Sequence, residues 1–131
     1  MKIEMTAARA RASLRPLTPE ESNLLRWILE HGSEDIRSFL PQLEGIRGAR
    51  SCGCGCPSVL LEPLETAPLG TVKKERIIGD FVGTTAKDES VGVILFQDDG
   101  KLSELEIYPF SDFEHKMPDS NFPLIESLKP F

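Results

Sequence analysis

The chain has 131 residues, 40% of them hydrophobic and 27% charged, which suits one ordinary globular domain and excludes a wholly disordered chain, a collagen-like fibre and a disulfide-dense miniprotein. Fifteen lysines and arginines stand against 21 acids, so the net charge is −6, which argues against sequence-independent binding to nucleic acid or to an anionic membrane. The apolar runs fall far short of the roughly 20 residues of a bilayer span, and three crowded cysteines make a poor disulfide framework, so the expected setting is cytoplasmic and reducing.

Charge is uneven along the chain. Residues 1–16 carry Lys2, Arg9, Arg11 and Arg15 against Glu4, and read as a flexible basic tail rather than an organellar leader, since Glu4 and the lack of an apolar face speak against the latter. Residues 17–131 then form the single domain. Thr18-Pro19-Glu20-Glu21 is a helix start: Thr18 caps free amides, Pro19 suits the first turn, and Glu21 closes a capping box. The helix predicted from Pro19 to Glu30 gathers Leu24, Leu25, Ile28 and Leu29 into one stripe with Trp27 at its margin, and Gly32 ends it. Ser33 caps a second helical stripe of Ile36, Phe39, Leu40 and Leu43, interrupted near Pro41.

From Gly45 the texture becomes strands and turns. Strands are predicted at Ser58–Glu62, at Ile77–Val82 and, most clearly, at Val91–Gln97, which is expected to be central and buried on both sides. Asp98-Asp99-Gly100 supplies a tight turn into an antiparallel partner at Lys101–Tyr108. Leu102, Leu105 and Ile107 break strict alternation, which predicts a bulge near Ser103 and Glu104. Beyond Pro109 the chain is proline-rich and is expected to wrap the surface through Phe110, Phe113, Phe122 and Phe131. The fold class expected is therefore α+β, with two N-terminal helices packed on one face of a mainly antiparallel sheet of three to five strands.

Motifs that would carry chemistry are missing: there is no G-x-S-x-G, no H-E-x-x-H, no phosphate loop and no dinucleotide fingerprint, and nothing calls for a cofactor. The unusual feature is Cys52-Gly53-Cys54-Gly55-Cys56. As an extended strand it would put three thiols on one face with about 6.5 Å between successive Cα atoms, a packing device. As a loop it could bring two or three thiolates to one Zn²⁺, with His31, His115 or an acid completing the set. A third reading is a reactive thiol tuned by a helix N-terminus or by Arg50. Packing is the reading taken here, with Cys52, Cys54 and Cys56 reduced, metal-free, in or beside a strand and at least two of them buried. His31 at the first helix terminus is better placed to cap than to ligate, and His115 lies in an acidic stretch. Glu104 and Glu106 could form an acid–base pair, but a solvated strand face is the plainer use.

The tracts Thr18–Glu21, Arg50–Ser58 and Asp99–Glu106 together resemble small, uncharacterised bacterial proteins that carry an R-C-x-C-G-C-P-[ST] strand and a D-G-x-L-x-x-L-E hairpin. The likeness spans about Leu17 to Tyr108. It implies a bacterial cytoplasmic setting and a compact fold, and no activity. With seven acids against two lysines between Asp98 and Asp119, the expectation is a non-catalytic interaction module, an immunity-type or accessory protein, whose partner is a protein with a basic surface. The alternative is a zinc-binding or thiol-redox protein centred on the cysteines.

Overall fold

The computed structural model describes residues 13–50, 57–110 and 122–131. Chain order within them is β1 (Arg15–Pro16), α1 (Pro19–Glu30), α2 (Glu34–Arg37), a 3₁₀ turn (Leu40–Leu43), β2 (Arg47–Arg50), β3 (Val59–Glu62), β4 (Ile77–Thr84), β5 (Ser90–Asp98), β6 (Lys101–Pro109), a second 3₁₀ turn (Ile125–Ser127) and β7 (Lys129–Pro130). Every strand pairing is antiparallel, in the spatial order β1-β2-β3-β6-β5-β4-β7. The α+β class holds, but the sheet has seven strands rather than three to five. The additions are β1, β2 and β7, whose two to four residues are too few to show an alternating pattern.

Helix α1 begins as its sequence dictates. Thr18 Oγ1 accepts from Glu21 N–H at 3.1 Å and Glu21 Oε1 accepts from Thr18 N–H at 2.9 Å, so two amides with no helical partner are satisfied reciprocally. Arg15 then grips the same carboxylate with both terminal nitrogens, at 2.5 and 3.0 Å, which ties β1 to the helix. The Glu21 hydrogen bond, opposed by burial and reinforced by the carboxylate's charge, raises the Arg15 pKa above its ordinary value. Leu24, Leu25, Ile28 and Leu29, which continue the buried stripe that Glu21 begins, are at most 1% exposed. Burying each contributes about 1.5–3 kcal/mol. They pack on Val91, Val93 and Leu95 of β5 and on Leu102, Leu105 and Ile107 of β6, which with Val59 and Leu61 of β3 and Phe39 make the core. Ser33 caps α2, which stops at Arg37, and the chain tightens into the 3₁₀ turn that contains Pro41.

Strand β5 is flanked on both sides, yet only its inner face is fully buried; Ile94 and Phe96 on the outer face are half-buried. The β5–β6 turn has Asp99 at φ 51° and Gly100 at φ 84°, the double left-handed step that a tight hairpin needs. A bulge falls where β6 loses alternation: Phe96 faces Glu104 and Gln97 faces Leu102, so Ser103 has no opposite residue. The extra residue turns Leu102 inward, to 1% exposure, and leaves Glu104 and Glu106 on the outer face. At the far end, Pro123 bridges to Thr85 and β7 pairs with β4, so the last residues add a strand as well as covering the surface.

Candidate functional site

The helices occupy one face of the sheet, and the other face carries the most unusual surface among the described residues. Pairing register fixes who stands beside whom there, since directly opposed residues in an antiparallel sheet share a face. Three rows cross β4, β5 and β6: Ile77, Phe96 and Glu104; then Asp80, Ile94 and Glu106; then Val82, Gly92 and Tyr108. Asp80 and Glu106 therefore flank Ile94 from either side, about 10 Å apart by strand spacing.

Gly92 is required in the third row. A Cβ there would run into the end of the Tyr108 ring, so the bare backbone lets the phenol lie flat across β5. Tyr108 leads on to Phe110, with ring centroids 5.6 Å apart, and Phe110 meets Phe131 edge-on at 6.2 Å. Phe110 is 49% exposed and Phe131 74%. What brings Phe131 into this group is β7: Lys129 faces Val82, Pro130 faces Phe81, and Phe131 N–H donates to Asp80 C=O at 3.1 Å. Ser127 secures the segment, accepting from Thr84 N–H at 2.9 Å and donating to Leu124 C=O at 2.6 Å. Burial, then the charges of Asp80 and Glu106, raise the Tyr108 pKa above its ordinary value, because a phenolate would be poorly solvated beside two carboxylates.

The first row shows what such a surface does with a cation. Arg76 lies over the Phe96 ring, 4.9 Å from its centroid, while its Nε approaches Asp98 Oδ1 at 3.5 Å. An aromatic face and a carboxylate together hold a guanidinium. The Tyr108–Phe110–Phe131 group with Asp80 and Glu106 presents the same two components.

The residues singled out from sequence fall in different places. Cys52, Cys54, Cys56 and His115 lie outside the described residues, as does Phe113, so the packing, zinc and thiol readings of the tract are left where the sequence put them. His31 sits at the C-terminus of α1, on the helix side of the sheet. Its ring stacks on Trp27 at 4.2 Å, and Nδ1 is 2.9 Å from Trp27 C=O, a group that can only accept, so Nδ1 carries the proton. That is the capping role. Among the described residues no three His, Cys, Asp or Glu side chains are grouped to hold a metal ion. Beside the tract, Ser58 is buried and its hydroxyl replaces a missing ladder step, accepting from Ile107 N–H at 2.8 Å and donating to Ile107 C=O at 3.1 Å. Glu104 and Glu106 share the outer face, with Phe96 and Ile94 opposite them on β5. Sequence reasoning passed over Asp80, and took Phe131 only as a surface anchor. Neither carries a local signal, because their neighbours are set by register.

No helix of the described residues is long and apolar enough to cross a membrane. No protein-family model, curated protein or solved structure matches the chain.

Proposed function

We propose that this protein is a small, non-catalytic binding module of the immunity or accessory type, and that it engages a protein with a basic surface through the outer face of its sheet. The observation that carries the reading is the Tyr108–Phe110–Phe131 group, exposed at Phe110 and Phe131 and flanked by Asp80 and Glu106. Aromatic side chains exposed together are enriched at interfaces, where they bring large contact area at little entropic cost. Carboxylates beside them select the charge of what they meet and speed encounter with a cationic surface. The net charge of −6 acts in the same direction at longer range.

Selection of displayed random peptides on the full chain tests this. Enrichment of sequences with lysine or arginine beside an apolar residue is expected, with affinity falling about tenfold or more in a Phe110→Ser/Phe131→Ser variant, the scale of losing interface anchors. Both positions are exposed, so the variant should fold. No enrichment, or a consensus without basic residues, would refute the reading.

A further inference from the structure

Strand β4 is only partly covered on the side away from β5. There β7 pairs with Phe81 and Val82, and the Phe131 amide reaches Asp80; among the described residues no strand pairs with Ile77 to Gly79 on that side. The same stretch borders a groove of about 350 Å³ between the start of β4, the beginning of α2 and the segment before β4. Its apolar lining comes from Ile36, Val72 and Ile77, the last 47% exposed. Its charged lining is Asp35, Glu75 and Asp80, with no lysine or arginine; Lys73 and Lys74 precede Glu75 in the chain but do not line the groove.

Edge strands expose backbone donors and acceptors that pair with any extended chain, and proteins normally blunt them with lysine, proline or a bulge. β4 has a bulge at Ile78, which turns that side chain into the core at 8% exposure, but it has no lysine or proline from Ile77 to Gly79. The short edge that remains faces carboxylates and apolar side chains together. We infer that this groove receives an extended, basic segment of the partner protein, which adds as a short strand antiparallel to β4 beside Ile77 to Gly79. Its main chain pairs with β4 while an apolar side chain rests on Ile36, Val72 and Ile77. Its lysine or arginine side chains meet Asp35, Glu75 and Asp80. Strand addition of this kind takes affinity from main-chain hydrogen bonds and specificity from alternate side chains. Asp80 borders both this groove and the aromatic group, so one partner can span the two. The inference rests on the proposed binding of a basic protein and adds the mode of binding.

The test uses the full chain and the peptide acetyl-Lys-Val-Lys-Val-Lys-Val-amide, measured by titration calorimetry, with amide exchange followed at Ile77 and Asp80, whose N–H groups point away from β5. Binding is expected to slow exchange at those two amides. It should weaken about tenfold or more when alternate backbone amides of the peptide are methylated at unchanged charge, and should also weaken in a Glu75→Lys/Ile77→Lys variant, both sites being exposed. The Phe110→Ser/Phe131→Ser variant keeps the backbone bond from residue 131 to Asp80 and leaves Ile36, Val72, Glu75 and Ile77 unchanged, so it should retain the exchange protection. Equal affinity for methylated and unmethylated peptide in both registers overturns strand addition. So does an absence of binding, or protection that persists in the Glu75→Lys/Ile77→Lys variant. Basic peptides selected on the aromatic group that ignore this variant would sink the groove alone, whereas failure of that selection, with peptide still bound here, would sink the aromatic site alone.

Discussion

Replacing Gln42 by leucine is expected to cost about 3–4 kcal/mol, although the two side chains are similar in volume. Gln42 is 1% exposed, in the 3₁₀ turn after α2. Its amide donates to Gly100 C=O at 2.6 Å and to Pro68 C=O at 3.0 Å, and its carbonyl accepts from Leu102 N–H at 2.9 Å. One side chain thus joins the helical segment, the loop before β4 and the β5–β6 turn. Leucine removes all three bonds. Gly100 C=O keeps the Gly70 amide at 2.8 Å, so the orphans are the Leu102 amide, buried, and the Pro68 carbonyl, part-buried. At about 1–3 kcal/mol for each orphaned group, with the buried amide near the top of that range and the carbonyl near the bottom, the sum is the stated figure. For a chain of this size it lowers Tm by about 10–15 °C. Urea unfolding followed by the fluorescence of Trp27, the single tryptophan, should show a lower midpoint at unchanged m-value. Gln42→Glu makes the cause specific. It keeps an acceptor for the Leu102 amide but turns a carboxylate oxygen toward two carbonyls, so the folded-state pKa of the new acid is raised. The stability of that variant is present below the ordinary carboxylate pKa and is lost as pH rises through the raised value. A leucine variant within about 1 kcal/mol of the parent would refute the reasoning.

Tyr108 is the single tyrosine, so phenolate absorbance reads it directly, and its midpoint should lie above that of the urea-unfolded chain. The sign follows: the stability linked to this phenol is present below the unfolded-state pKa and falls as pH rises through the folded-state one. Asp80→Asn should move the midpoint down, and a folded midpoint at or below the unfolded one would contradict the burial and charge assigned to the site. Ser103 is the bulge residue, and its Oγ is buried with no hydrogen-bond partner among the described residues. Ser103→Ala is expected to raise stability by up to about 1 kcal/mol in urea unfolding, and a loss of that size would show that the hydroxyl is satisfied.

Where the sequence was legible, the interacting groups lie within a few residues of each other. The Thr18–Glu21 capping box, the Ser33 cap, the break at Pro41 and the Asp99-Gly100 turn are each closed by chemistry inside one turn of chain. Features that were not legible depend on partners far away. Gln42 reads as one polar residue between two leucines, and its three bonds reach 26 to 60 residues along the chain. β2, Arg47-Gly48-Ala49-Arg50, shows no hydrophobic alternation, because its fit depends on smallness: a Cβ at Gly48 would strike Val59 at 2.6 Å and Leu17 at 2.8 Å. β7 contains a proline and two residues in all, and only the open edge of β4 makes it a strand.

The make-up of the outer face depends on strand register and on two bulges. Continuing the alternation of Leu105 and Ile107 backward would place Leu102 outward with Glu104; the unpaired Ser103 reverses the phase and sends Leu102 into the core. In β4, alternation from Gly79, Phe81 and Gly83 would send Ile78 outward, and the shift between Ile77 and Gly79 sends it inward instead. Both irregularities flank the same stretch of β5, around Phe96, one on each side. The first moves Leu102 from the solvent face to the core; the second exchanges the two isoleucines, leaving Ile77 outside at 47% exposure and Ile78 inside at 8%. What is left outside on those strands is enriched in acids and aromatics, with Asp80, Glu104, Glu106 and Tyr108 in cross-strand positions that a regular period would have shared with Leu102 and Ile78. Asp80, Glu104, Glu106 and Tyr108 face outward by ordinary alternation with Phe81, Leu105 and Ile107; the bulges remove Leu102 and Ile78 from beside them, and strand register, which no local pattern carries, decides which of them stand in one row.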